Sequence, residues 1–330
     1  MEHAVLVRSI YNHLVVRYRR PTKITTRCGS DSVPDMTFSI VARSADMFGV
    51  AVASRFLGVG AAVPAALADV GAVATQSYAN LAYRPQALTL LSTGVPAEHT
   101  VRALVAGDDG PVGHRQVGVV GASGPGATYT GPACHPWAGG TAGDGYAIQG
   151  NMLAGPAVVA DMEDTWLRST GEARLAHRLV TALRAGDQAG GDRRGRQSAA
   201  LLVVAKGRGY AGTGDVLADL RVDDHPDPVT ELARLLAVHT LYFERPDPTT
   251  LLPLTGSLAA EVADRLRGAG RTEPDLDEAL ASWAGIENLE MRIVPGSIDP
   301  LVLAHLRAAA AADQAASARR SEPPGGATGR

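Results

Sequence analysis

The chain has 330 residues and a formal net charge of −3, and it is 45% hydrophobic and 20% charged, the balance of an ordinary folded protein. That charge leaves no electrostatic footprint for nucleic acid or an anionic membrane, and no apolar run reaches the roughly 18–20 residues that cross a bilayer. Two cysteines, Cys28 and Cys134, are too few for a disulfide framework and fit a reducing, cytoplasmic compartment, and without HxxxH, CxxC or EF-hand spacing neither a metal nor another cofactor is expected.

Residues 1–35 have a texture of their own. Arg17, Arg19, Arg20, Lys23 and Arg27 make the segment basic, and its short apolar stretches lack the continuous core of a secretory signal. It reads as a disordered extension or as a start placed too far upstream, with Met36 the natural initiator. From Thr37 the chain turns to strands. Phe38–Ala42 and Gly49–Ser54 flank a turn-like stretch and suggest a hairpin, and Val70–Gln76 reads as a further strand. Two helices follow, Pro85–Thr93 with Gly94 at its end and Pro96–Ala106. Val117–Ala122 and Ala127–Thr130 are strands around a Gly/Pro turn, Gly131–Gly145 is a loop, and Tyr146–Gln149 is a short strand.

Helices resume at Pro156–Leu167 and around Leu175, Leu179 and Leu183. A Gly/Arg loop, Gly190–Ser198, leads into the apolar strand Ala199–Val204. Another strand ends at Val222–Asp223, and Pro228–His239 is an amphipathic helix. Blocks of strands and helices in this order do not fit strict βαβ alternation; they fit antiparallel sheets carrying helices on their outer faces. Arg245–Pro253 reads as a Pro-rich linker. Three short helices follow, Ser257–Arg267, Leu276–Trp283 and Asp299–Leu306, and then a tail without structure from 311 to 330.

Among candidates for chemistry, Gly118-x-x-Gly121-x-x-Gly124 lacks the spacing of a dinucleotide loop and runs into a strand rather than a phosphate-binding helix. Thr37 is sharper. Freed of Met36, it would join a nucleophilic hydroxyl and a basic α-amine on one residue. The alternative is a β-branched residue that merely opens a strand. In the loop Gly191–Ser198, Arg193, Arg194 and Arg196 are suited to bidentate carboxylate recognition, while Asp192 orders the loop or the N-terminal amine; an intraloop salt-bridge cluster is the alternative. Asp223-Asp224-His225 reads as a turn before Pro226, and Cys134-His135 as loop neighbours rather than a dyad.

Several stretches together resemble the domain of unknown function 1028 family. They are Met36–Ala42, Gly49–Arg55, Gly71–Gln76, Thr130-Gly131-Pro132, Trp137-Ala138-Gly139, Gly150–Leu153, Gly191–Ala200 and Asp219–Pro226. The resemblance implies an α+β fold similar to N-terminal nucleophile (Ntn) hydrolases: a four-layer αββα sandwich of two antiparallel sheets, over residues 36–245. It implies Thr37 as nucleophile with its own amine as base, and Arg55 tuning that amine or holding a substrate carboxylate. Asn151 or the Gly150–Asn151 backbone would donate to the oxyanion. Gln76, Arg193, Arg196 and Ser198 would bind a small, acidic amide or ureido substrate. A homo-oligomer assembled through the helical layers is implied as well.

Further on, Leu276–Leu280, Trp283–Arg292 and Ile298-Asp299-Pro300 resemble a small helical domain described as peptidoglycan-binding, over residues 246–310. That resemblance keeps open a second class of function: a non-catalytic ligand-binding protein on an Ntn-like scaffold that takes cell-wall fragments.

Overall fold

A computed structural model describes residues 37–309. The expectations for residues 1–35, for Met36 and Cys28, and for the tail from 311 lie outside the described residues.

Strands β1 (Thr37–Ser44) and β2 (Met47–Ser54) form the expected hairpin, with Ala45 in the left-handed region at φ 51°. A helical turn, α1 (Val59–Ala62), and a short strand, β3 (Pro64–Leu67), precede β4 (Gly71–Gln76). Neither α1 nor β3 is legible in its four residues. Helix α2 (Tyr83–Ser92) begins two residues before Pro85, which stays in the first turn where its missing N–H costs nothing. Helix α3 (Ala97–Ala106) and strands β5 (Gln116–Gly121) and β6 (Ala127–Thr130) follow. The Gly-rich loop expected over 131–145 contains a strand, β7 (Gly139–Gly143), paired with β8 (Tyr146–Asn151). Its sequence has little strand propensity of its own, and the neighbouring strand supplies the pairing. Helices α4 (Ala157–Arg168) and α5 (Leu175–Gln188), strands β9 (Ser198–Val204) and β10 (Val216–Val222), and helix α6 (Pro228–Phe243) complete this part.

The strands form two antiparallel sheets, ordered β10-β9-β2-β1-β8-β7 and β3-β4-β5-β6. Three apolar clusters set the layers. Val73, Val117 and Val119 of the four-stranded sheet pack on Leu91, Val101 and Leu104 of α2 and α3. The alternate residues Ala72, Ala74 and Val120 meet Val41, Val50 and Val52 of the six-stranded sheet. The far face of that sheet, with Phe38, Ile40, Ala51 and Leu201, packs on Met162, Leu179, Leu183 and Leu232 of α4, α5 and α6. The result is the αββα sandwich. Strands covered on both faces are buried along most of their length.

The C-terminal part has its own cluster, built from Val262, Leu266, Leu280, Trp283, Leu289, Ile298 and Leu303. It contains β11 (Leu252–Pro253), α7 (Gly256–Gly268), α8 (Leu276–Ile286), β12 (Ser297–Ile298) and a helix over 300–309. The stretch expected to be a linker therefore ends in a strand, because Leu252 and Pro253 pair with Ile298 and Ser297. Leu241 and Tyr242 of α6 pack against this cluster. Arg292 fastens the contact: Nη2 donates to the Thr240 carbonyl (2.8 Å), Nε to the Leu241 carbonyl (2.9 Å), and Nη1 to Asp299 Oδ2. Among the described residues no helix is long and apolar enough to cross a membrane.

Candidate functional site

The ladder registers place Thr37 opposite Ser54 on one side and Asn151 on the other, and Ser54 opposite Ser198. Residues directly opposite in a sheet share a face. Asn151, Thr37, Ser54 and Ser198 therefore form a polar row at one end of the six-stranded sheet, and none is more than 2% exposed. The row lies on the face that meets the other sheet, since Val41, four residues from Thr37, and Val52, two from Ser54, belong to the inter-sheet cluster.

Across the gap, Gln76 and Gln116 are opposite each other on β4 and β5. Gln76 Nε2 donates to the Thr37 carbonyl (3.1 Å) and to Gln116 Oε1 (2.8 Å), while Gln76 Oε1 accepts from Ser39 Oγ (2.7 Å). Asn151 Nδ2 donates to Gln116 Oε1 (3.0 Å) and to the Thr37 carbonyl (3.4 Å). Gln116 Nε2 reaches Thr130 Oγ1 and the Gly150 carbonyl, both at 2.8 Å. Gln149 Nε2 donates to Ser39 Oγ (2.6 Å), leaving its own Oε1 buried without a partner among the described residues. Gly118 makes room for that amide; a Cβ there would lie 2.0 Å from Gln149 Oε1.

Gln116 is thus the hub through which the second sheet holds Thr37. Substituting Leu for Gln116 would strand the donors of Gln76 and Asn151 and the Gly150 carbonyl. At about 1–3 kcal/mol for a buried group left unsatisfied, a loss on the order of 3–5 kcal/mol is expected in urea unfolding. A loss below about 1 kcal/mol would mean that the network does not carry this load.

The Thr37 hydroxyl donates to Ser54 Oγ at 3.2 Å. Ser198, although in the same row, serves the neighbouring turn: its hydroxyl bonds the Phe56 carbonyl and accepts from Val59 N (3.1 Å). Arg55 leaves the sheet one residue after Ser54. Its guanidinium donates to the Arg194 carbonyl (2.9 Å) and its N–H to Asp192 Oδ2 (2.7 Å). Asp192 also accepts from Arg194 N (2.9 Å) and Arg194 Nη2 (3.3 Å), so the buried carboxylate orders the loop. Arg196 pairs with Asp187 (2.7 Å). Arg193 is exposed; its N–H donates to the Met152 carbonyl (3.3 Å), beside Asn151. Along this rim Arg194 and Arg196 are thus paired with Asp192 and Asp187, and Arg55 with the Arg194 carbonyl.

Strained backbone marks the rest of the rim. Ser77 and Tyr78, after Gln76, and Met152, after Asn151, have φ of 55°, 54° and 50°. Such conformations persist where the surroundings over-determine them, often beside functional groups. Arg115 braces the first pair, donating through Nη1 to the Tyr78 carbonyl and through Nε to Asp108 Oδ2 (2.9 Å). Burial alone would raise the Asp108 carboxyl, but bonds from Arg115, Gly110 N–H and the Tyr83 hydroxyl outweigh it and hold the pKa at about 2, against an ordinary 3.8. A depressed carboxyl stabilises the fold above its unfolded pKa and stops doing so as pH falls through its folded one. Between about pH 5 and about pH 2 the brace should lose about 2 kcal/mol, and Asp108→Asn should flatten that slope in urea midpoints taken at each pH.

Cys134, half-buried nearby, donates to the Arg115 carbonyl (3.4 Å) and accepts from Ser77 Oγ (3.5 Å); burial pushes its thiol pKa up. A thiol held protonated beside a carbonyl is a poor nucleophile. Among the described residues no group of three or more His, Cys, Asp or Glu side chains is arranged to hold a metal ion.

Of the residues singled out from sequence, Thr37, Gln76, Asn151 and Ser198 meet in the buried row or just across from it. Arg55, Asp192, Arg193 and Arg196 lie along its rim. The amides of Gln76 and Asn151 are engaged inside the protein, holding the Thr37 carbonyl. Ser39, Ser54, Gln116 and Gln149 escape sequence reading. Their one signal is a polar residue at every second position of a strand, which also describes a strand with one wet face.

The chain matches the family model described as a family of unknown function (DUF1028) over residues 37–232. A model described as "Putative peptidoglycan binding domain" matches residues 242–306. The crystal structure of protein SPO2555 from Silicibacter pomeroyi, a DUF1028 protein, is similar at a TM-score of 0.55 and 26% identity, covering 68% of this chain and 93% of that one. No protein of curated function matches this chain.

Proposed function

The chain belongs to the family of unknown function DUF1028, and on that premise we propose that it is a metal-independent amidohydrolase with Thr37 as its N-terminal nucleophile. Its substrate would be a small, acidic amide or ureido compound. The observation that carries this reading is the seating of Thr37. Its hydroxyl meets Ser54 Oγ at 3.2 Å, and its carbonyl is held from the opposite sheet by Gln76 and from β8 by Asn151. An ordinary strand opening needs no such scaffold, whereas a nucleophile must be fixed to attack efficiently. The family match also begins at Thr37.

In this mechanism the hydroxyl adds to the carbonyl carbon while the freed α-amine takes the proton; with a pKa of roughly 7.7–8.0, roughly 10–15% of it is neutral at pH 7. Backbone N–H groups at Gly150–Asn151 are the candidates for the oxyanion. Arg55, Arg193 and Arg196 are all exposed; Arg193 would anchor the substrate carboxylate, with Arg55, bonded to the Arg194 carbonyl, and Arg196, paired with Asp187, shaping the approach. N-terminal sequencing of protein made from its own gene is the direct test. The expected first residue is Thr37; a mature protein that keeps Met36 ahead of it has no free amine there and removes the mechanism.

The match over residues 242–306 favours a second reading, a ligand-binding protein that takes cell-wall fragments without turning them over. Retention of the whole chain on insoluble peptidoglycan, unchanged by Thr37→Ala, would support it, and no retention would dismiss it.

A further inference from the structure

We infer that Ser54 is a second catalytic residue of this site, the hydroxyl through which the Thr37 proton leaves; the inference rests on the Thr37 reading above. Among the described residues, the Thr37 hydroxyl makes one hydrogen bond, and Ser54 Oγ is its acceptor at 3.2 Å. Both residues are 2% exposed. The other polar members of the row are engaged elsewhere. Asn151 donates to the Thr37 carbonyl and to Gln116, and Ser198 is tied to Phe56 and Val59. No carboxylate, imidazole or ammonium group is hydrogen-bonded to the Thr37 hydroxyl among the described residues. As the cross-strand partner of Thr37, Ser54 stands beside both the hydroxyl and the amide nitrogen that becomes the α-amine.

A hydroxyl that donates to Ser54 cannot donate to the amine at the same time, so the proton needs a relay. As a lone pair of Thr37 Oγ1 forms the bond to the carbonyl carbon, the C=O π pair moves onto its oxygen. The Oγ1 proton passes to Ser54 Oγ, and the Ser54 hydroxyl proton passes to the neutral α-amine, which becomes ammonium. Ser54 ends as it began. On collapse the carbonyl re-forms and the C–N bond breaks; the ammonium proton passes to Ser54 Oγ, and the Ser54 hydroxyl proton passes to the leaving nitrogen.

The probe is N-benzyloxycarbonyl-serine β-lactone, whose ring carbonyl would acylate Thr37 with opening of the ring C–O bond. Labelling of the Thr37 peptide in the mature protein is followed by mass spectrometry as a function of pH. In the wild type the rate should level off above the amine pKa, near roughly 8. In Ser54→Ala it should fall about 100-fold near pH 7.5 and keep rising with pH, because hydroxide must then remove the proton. Ser54→Thr, which restores a hydroxyl, should return to within about 5-fold of wild type. Should Ser54→Ala not fold, Ser54→Gly takes its place with the same expected slope.

Wild-type rate and plateau in the Ser54 variants would overturn the relay while leaving Thr37 as nucleophile. Equal slowing in Ser54→Ala and Ser54→Thr with the wild-type plateau would mark a packing role and also overturn it. A wild type that never labels at Thr37 removes the nucleophile itself, and the relay with it.

Discussion

Replacing Thr37 with Ala is expected to lower turnover by about 10⁴-fold or more while leaving a folded protein, as loss of a covalent nucleophile does elsewhere. The measurement is amine or ammonia release by the mature protein across a panel of small carboxylate-bearing amides and ureido compounds. The stability cost should be modest, about 1–2 kcal/mol, because the substitution removes one buried methyl and one hydroxyl–hydroxyl bond and leaves the Gln76 and Asn151 contacts to the backbone carbonyl in place. Thr37→Ser keeps the hydroxyl and the amine and should stay within about 10-fold of wild type. Full turnover in Thr37→Ala, on any substrate the wild type cleaves, would sink the nucleophile reading without touching the fold.

Arg292→Ala is expected to cost about 3–5 kcal/mol in urea unfolding. The guanidinium and the Asp299 carboxylate are 4% and 3% exposed, so removing one charge leaves the other buried and uncompensated. Arg292 also covers the Leu241 carbonyl in the last turn of α6 and shares the Thr240 carbonyl with the Glu244 N–H (3.3 Å). Replacing both members, as Arg292→Met with Asp299→Asn, should recover part of the loss, because the stranded charge is then gone. A second, earlier transition confined to the C-terminal helices would locate the failure at this seam. A loss below about 1 kcal/mol in the single variant would mean that water reaches the pair.

The sequence carries the sandwich more clearly than the site. Block order excludes strict βαβ alternation, and the matched stretches from Met36 onward resemble a family with two antiparallel sheets. The short elements hide because their reasons are not local. β7 is Gly-Gly-Thr-Ala-Gly and becomes a strand only because β8 lies beside it, and β11 exists only where Ser297 and Ile298 return to pair with it. The site hides for a related reason. Thr37-Phe38-Ser39-Ile40 alternates like a strand with one face in water, yet both faces are buried, the polar one against another sheet. Gln116 looks like any residue opening a strand until Gln76, Asn151 and Thr130 converge on it. The Arg loop is legible as a concentration of charge; which of its arginines are tied down, and to what, depends on Asp187 and on the backbone of a distant strand end.

The fit between Gly118 and Gln149 bears on how such a chain can drift. The two positions sit on different sheets, and a methyl group on one would occupy the space the other's amide fills. That amide is anchored to Ser39, which in turn bonds Gln76, so it cannot swing aside without loosening the hold on Thr37. Descendants of this sequence should therefore exchange Gly118 only in company with a shorter residue at 149. In lineages where the Thr37 scaffold has lapsed, that paired constraint should be among the first to dissolve.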